Sequence, residues 1–183
     1  MRTLAIAALG AALFISPAST AQSHRGTGVT GLGDRWAGAP RLVQSGGSIR
    51  GVWRIVEATP RPGAPPIRFA GRPNLTIFTA THYSRVEVQS DAPRPVLTDV
   101  AKATADELRA AWGPLVAEAG TYETAGGSIT VRPIAAKNPA VMGPDVFITY
   151  AYTLDGASLL LTQQRNQNGP YANPFTLKLE RIE

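Results

Sequence analysis

Two groups of side chains in this sequence could bind a ligand or move a proton inside a strand-rich fold. The first contains Glu57, which follows Trp53 and Ile55 at two-residue spacing and so shares their face of a regular strand. A carboxylate among apolar side chains could anchor a polar ligand group or act as a general base. The other interpretation is that the strand ends near Ala58 and leaves Glu57 in solvent.

The second group is aromatic and polar. Tyr150 and Tyr152 share one face of a predicted strand, and Gln163 lies on the apolar face of the next strand. A few hydroxyl and amide groups in an apolar wall are what a small-molecule pocket requires. The alternative is ordinary core, in which the hydroxyls merely reach water. Tyr83 and Trp112 are the other two candidate ligand-binding residues.

Other kinds of site find little support. The chain has no cysteine and two histidines, His24 and His82, without the paired spacing of a metal site. No Gly-x-Ser-x-Gly sequence suggests a hydrolase. Gly26-x-Gly28-x-x-Gly31 matches a dinucleotide-binding pattern, but no strand precedes it and no helix follows. We therefore expect no metal, no cofactor and no assignable catalytic residue.

Charge argues against a nucleic-acid partner. The formal net charge is +5, from 18 basic and 13 acidic residues. The arginines are dispersed, and no run of Lys or Arg concentrates the charge on one segment. A nucleic-acid-binding protein normally has such a concentration.

The N-terminus has the pattern of a signal peptide over residues 1–21. Met1-Arg2 is a short basic region, residues 4–15 are apolar, and Ser19-Thr20-Ala21 places small residues before a cut. We expect cleavage after Ala21 and a periplasmic or secreted protein; an uncleaved anchor is the alternative. No second long apolar stretch follows, so no membrane span is expected in the mature chain. Residues 22–47 form a predicted flexible, Gly-rich leader.

Residues 48–183 are predicted to form one all-β domain. Short alternating runs, separated by Gly, Pro and Asp-Gly turns, predict about 8–10 strands. In the run over residues 83–89, Tyr83, Arg85 and Glu87 share one face. An up-and-down antiparallel barrel would leave no unpaired strand edge, whereas a two-sheet sandwich is the alternative.

One helix interrupts the strands, predicted over residues 104–119. Thr104-x-x-Glu107 is a capping box. Leu108 and Trp112 begin an apolar face that continues to Leu115 and Val116. Pro114 should kink this helix or end its first half, and Gly120 should close it.

An ordered set of motifs resembles bacterial secreted proteins with a lipocalin-like domain, a barrel of the lipocalin or calycin type. The set is Gly51-x-Trp53, Ile77-Phe78-Thr79 before Tyr83-Ser84, Gly120-Thr121-Tyr122 and Asn138-Pro139. The resemblance implies that Trp53 plugs the closed end of a barrel and that Arg181 lies over it. It also implies a cup for a small, partly apolar molecule.

Three functions follow as hypotheses. The first is an exported protein that binds a small apolar or amphipathic molecule. The second is an enzyme of isomerase or cyclase type that uses Glu57 or tyrosines in the cup. The third is a protein-interaction module that binds through the loops at residues 138–145 and 165–174.

Overall fold

The computed structural model describes residues 47–183, so the predicted signal peptide and nearly all of the predicted leader lie outside the described residues. Ten strands and one α-helix follow in the described part, with short 3-10 turns at Val100–Lys102 and Pro139–Val141. In chain order the elements are β1 (Gly51–Thr59), β2 (Ile67–Arg68), β3 (Asn74–Phe78), β4 (His82–Val88), α1 (Ala105–Trp112), β5 (Leu115–Ala125), β6 (Ser128–Ala136), β7 (Ile148–Asp155), β8 (Ser158–Asn166), β9 (Gly169–Pro170) and β10 (Thr176–Arg181).

Eight of these strands close into an antiparallel barrel. Their order is β1, β3, β4, β5, β6, β7, β8 and β10, and β10 pairs with both β8 and β1. The two-residue strands β2 and β9 add to β1 and β8. Each of the eight strands therefore has two partners, which satisfies the backbone groups that an open edge would expose. The predicted up-and-down barrel is confirmed, and the sandwich alternative is wrong.

Trp53 plugs one end of the barrel, called here the Trp53 end. Its side chain is fully buried, and its Nε1 donates to the Ile49 carbonyl oxygen at 2.8 Å. The Arg181 guanidinium lies 4.2 Å from the centre of the Trp53 ring and donates to the carbonyl oxygens of Arg50 and Ser48. This is the arrangement that the resemblance implied.

The helix is shorter than predicted. Thr104 and Glu107 form the expected capping box, but α1 ends at Trp112, and Leu115 begins β5. Pro114 has no backbone N–H, so the helix cannot continue through it. The chain instead pairs with β4, where Val116 lies opposite Glu87. The predicted helical face over Leu115 and Val116 is therefore wrong.

A bulge in β1 corrects the predicted position of Glu57. The register against β10 slips between Ile55 and Glu57, which leaves Val56 as the extra residue. The buried side chains are consequently Trp53, Ile55 and then Ala58. Glu57 is therefore not on the inner face with Trp53 and Ile55. Its side chain is only partly buried, so it does not belong to an interior site.

Candidate functional site

Strand β4 turns polar side chains into the barrel. Tyr83 is 5% exposed and Glu87 is 1% exposed, whereas Val86 between them is 43% exposed. Arg85 lies on the same inner face, and its side chain is 15% exposed. Ordinary strands place their apolar side chains inside, because a buried charge is costly unless it is paired. This inversion makes the inner face of β4 the most unusual feature of the barrel.

Arg85 and Glu87 form a two-pronged ion pair within this strand. Arg85 Nε donates to Glu87 Oε2 at 3.1 Å, and Arg85 Nη2 donates to Glu87 Oε1 at 2.9 Å. Gln89 Nε2 donates to the same Oε1 at 2.7 Å. Burial alone would lower the pKa of Arg85, but Glu87, Tyr150 and Glu118 together outweigh burial and raise it. Both oxygens of Glu87 are thus occupied.

Glu118 brings a second carboxylate to the cluster. It lies opposite Arg85 in the pairing of β4 with β5 and is partly buried. Loss of solvent raises the pKa of Glu118, the Arg85 charge partly offsets that rise, and the Glu87 charge adds to it. The cluster therefore contains two carboxylates and one guanidinium in a setting that disfavours the second negative charge.

Two tyrosines complete the polar side. Tyr83 and Tyr150 are each 5% exposed. Burial raises the pKa of both hydroxyls, and the Glu118 carboxylate adds to the rise. Thr76 Oγ1 has no hydrogen-bond partner within residues 47–183. Tyr83 Oη faces the Glu118 carboxylate, and a hydrogen bond between them contributes to the raised pKa of Tyr83, although its geometry is poor. Thr76 Oγ1 is therefore a buried polar atom without a partner, and Tyr83 Oη has only the Glu118 carboxylate.

A cavity of about 30 Å³ separates this polar side from an apolar wall. The polar lining is Thr76, Tyr83, Arg85, Glu118 and Tyr150, and the apolar lining is Val131, Leu161, Leu177 and Leu179. Such a volume holds roughly one or two water molecules. It is well below the ~300 Å³ of a pocket for a drug-sized ligand. The interior is therefore a small, mainly apolar cavity with a few polar groups, rather than the wide cup that the resemblance implied.

The structure brings three of the predicted ligand-binding residues together. Tyr83 and Tyr150 line the cavity. Gln163 is 6% exposed and lies opposite Tyr150 in the pairing of β7 with β8. The Gln163 Oε1 accepts a hydrogen bond from the Phe175 backbone N–H at 3.3 Å. Gln163 therefore holds the chain at Phe175 in place but does not itself line the cavity.

The other predicted residues lie elsewhere. Tyr152 packs against the core and does not line the cavity. Trp112 is 46% exposed on α1, with the Arg94 guanidinium 5.6 Å from its ring centre. Glu57 is displaced by the β1 bulge.

Sequence reasoning missed Thr76, Arg85, Glu87 and Glu118 as site residues. The shared face of Arg85, Glu87 and Tyr83 was visible in the sequence, but alternation does not say which face is inside. Glu118 fell within the predicted helix, which removed it from any strand face. The signal that could have identified Glu118 is the presence of an acidic residue where the neighbouring strand would pair with Arg85.

Within residues 47–183, no group of three or more His, Asp or Glu side chains is arranged to hold a metal ion. His82 is exposed, and its Nδ1 lies 2.9 Å from Thr81 Oγ1. In the same range, no helix has the length and apolar character needed to cross a membrane.

No known family model matches the chain, and no curated protein matches it. Among solved structures, it is similar to the crystal structure of a lipocalin-like protein from Bacteroides uniformis ATCC 8492. The two share 15% sequence identity with a TM-score of 0.44, over 74% of this chain and 100% of the other. The barrel of this protein is lipocalin-like. Its closed order of eight antiparallel strands and the Arg181 guanidinium over the Trp53 ring are the features that make it so.

Proposed function

We propose that the lipocalin-like barrel binds a small amphipathic molecule in its interior cavity. The observation that carries the proposal is the wall of that cavity, where Thr76 Oγ1 has no hydrogen-bond partner and Tyr83 Oη has only a poorly aligned one, the Glu118 carboxylate. Each buried group without a hydrogen bond costs about 1–3 kcal/mol. A polar ligand group seated between them would remove that cost and so gain affinity.

The two sides of the cavity give the ligand its orientation. Its polar end would face Glu118 and Tyr83, and its apolar end would face Leu161 and Leu177. The cavity volume of about 30 Å³ favours a molecule of a few heavy atoms. A longer ligand would have to move leucine side chains, which close packing makes costly.

Export belongs to the same proposal. The basic start, the apolar residues 4–15 and the small residues before Gln22 support cleavage after Ala21 and a periplasmic or secreted location. The protein would then bind its ligand outside the cytoplasm.

Native mass spectrometry of the protein recovered gently from cells tests both points. We expect a chain that begins at Gln22 and carries a small extra mass that is lost on denaturation. For weaker ligands, a panel of compounds of a few heavy atoms is titrated while NMR resonances of Thr76, Tyr83 and Tyr150 are followed.

Matched variants localise the binding. Tyr83→Phe and Tyr150→Phe should weaken binding, whereas Tyr152→Phe, outside the cavity lining, should not. A folded barrel that carries no extra mass and shows no response of the cavity residues to any compound would reject the proposal.

A second candidate function is proton transfer in the same cavity. Glu118 has the raised pKa of a general base, and two tyrosine hydroxyls lie nearby as donors. The enzyme hypothesis thus moves from Glu57 to Glu118. Turnover of a bound ligand that is lost in Glu118→Gln but kept in Glu123→Gln would favour it over simple binding.

A further inference from the structure

Resting on the proposed function, we propose that the polar end of the ligand is a cation, such as a protonated amine, held by Glu118. The interior cluster contains Arg85, Glu87 and Glu118, so with both carboxylates ionised its charge is −1. A cation brings this charge to zero. A barrel interior with low polarity favours that neutral sum strongly over a net charge.

The hydrogen bonds of the cluster leave Glu118 as the available carboxylate. Glu87 receives Arg85 Nε at 3.1 Å, Arg85 Nη2 at 2.9 Å and Gln89 Nε2 at 2.7 Å. Within residues 47–183, the hydrogen bonds and the ion pair of Arg85 go to Glu87 and none goes to Glu118 on the opposite strand. Glu118 lines the cavity, whereas Glu87 does not.

The cavity wall also offers the right number of acceptors. A protonated primary amine has three N–H donors and no acceptor. Glu118, Tyr83 and Thr76 all border the cavity. Within the described residues, Thr76 Oγ1 has no partner, and Tyr83 Oη, whose hydrogen faces Glu118, keeps its lone pairs free to accept. One carboxylate and two hydroxyl oxygens would satisfy the three donors, while a short hydrocarbon tail meets Leu161 and Leu177.

An anionic ligand fits this site poorly. It would make the interior charge more negative, from −1 to −2, because the single positive charge of Arg85 is already paired with Glu87. Bringing like charges together without solvent is unfavourable. The charge balance therefore points to the cation.

Three probes of matched shape test the inference: propylammonium, 1-propanol and propionate. Each is titrated into the full mature chain at neutral pH, and the NMR shifts of Thr76, Tyr83 and Tyr150 report binding in the cavity. We expect propylammonium to bind tightest. Glu118→Gln should reduce its advantage over 1-propanol by about tenfold or more, because a hydrogen bond to a charged group is lost.

The control is Glu123→Gln on the same strand, whose side chain is 69% exposed and which should leave the preference unchanged. If Glu118→Gln does not fold, Tyr83→Phe removes one acceptor alone and should lower propylammonium affinity. Tighter binding of 1-propanol or propionate at the cavity would overturn the cation and leave the binding function standing. No response to these three or to the wider panel would overturn both.

Discussion

At the scale of single residues, the barrel interior contrasts two carboxylates on neighbouring strands. Glu87 has three donated hydrogen bonds that offset the loss of its water. Glu118, across the strand pair, loses solvent with only the Tyr83 hydroxyl as a donor, and its pKa is raised. A buried carboxylate that is satisfied fixes structure, while one that is not satisfied can titrate or exchange partners.

This contrast predicts how stability depends on pH. Below the ordinary carboxyl pKa of 4.5, Glu118 is protonated in both the folded and the unfolded chain, so its charge does not reduce the free energy of unfolding. As pH rises above 4.5, the unfolded chain releases this proton first, so folding stability falls until pH passes the raised folded pKa. Relative to Glu118→Gln, the wild-type protein should therefore lose stability across that window and stay lower above it.

Urea unfolding of both proteins at intervals from acid to neutral pH measures the effect. Glu123→Gln, at an exposed position, should track the wild-type curve within about 0.5 kcal/mol. Parallel curves for the wild-type protein and Glu118→Gln would mean that the folded barrel does not disfavour the Glu118 charge.

At the scale of elements, bulges decide which side chains the strands aim inward. One bulge in β1 removes Glu57 from the interior. Another lies where the register of β5 against β6 slips between Ala119 and Gly120, and it leaves Ile134 as an extra, 63% exposed residue beside Pro133. Proline lacks the N–H that a regular ladder would use, so a bulge suits its position.

This second bulge predicts a strict need for glycine at position 120. A Cβ there would lie 2.0 Å from the Arg132 carbonyl oxygen, which is backbone and cannot move aside. Gly120→Ala should therefore destabilise the fold by about 2 kcal/mol or more. Urea unfolding followed by circular dichroism measures the loss.

Gly126→Ala is the control in the same hairpin. A Cβ at position 126 meets nothing within 4 Å, and the φ of +55° adds only backbone strain of about 1 kcal/mol. Equal losses in the two variants would show that the close approach of β6 to Gly120 does not matter for stability.

At the scale of the whole molecule, the Trp53 end joins the first and last strands of the barrel. Val52 N–H donates to the Glu183 carbonyl oxygen at 3.0 Å, and Arg181 reaches the carbonyls of Arg50 and Ser48 at 2.6 Å each. The glycine of the Gly-x-Trp motif is required here for a steric reason. A Cβ on Gly51 would lie 2.4 Å from both Arg181 Nη1 and the Glu183 carbonyl oxygen, at a φ of +138°.

These contacts between the first and last strands predict that replacing Arg181 strongly destabilises the fold. Arg181→Met should lower the free energy of unfolding by about 2–4 kcal/mol, because it removes the cation–π contact and the hydrogen bonds to carbonyl oxygens. Arg165→Met is the matched control, since Arg165 is exposed and lies 5.7 Å from the Phe147 ring centre. Arg165→Met should lower the free energy of unfolding by less than about 1 kcal/mol. Similar values for both variants in urea unfolding would contradict a special role for the Arg181 contact.

The sequence by itself determined the strand-rich class, the capping box at Thr104, and the facing pair Trp53 and Arg181. Alternation also placed Tyr150 and Tyr152 on one strand face and Tyr83, Arg85 and Glu87 on another, without deciding which faces are inside. These features depend on neighbours along the chain or on a resemblance of motifs. They needed no knowledge of how the strands pair.

Only the tertiary structure decided which face of each strand is inside, and hence the site. The pairing of β4 with β5 ends the helix at Trp112 and sets Glu118 opposite Arg85. The bulge at Val56 moves Glu57 away, and the packed leucines reduce the cup to about 30 Å³. The physical reason is that alternation along a strand has two equivalent phases. The choice between them is made by closure of the barrel, through partners distant in sequence.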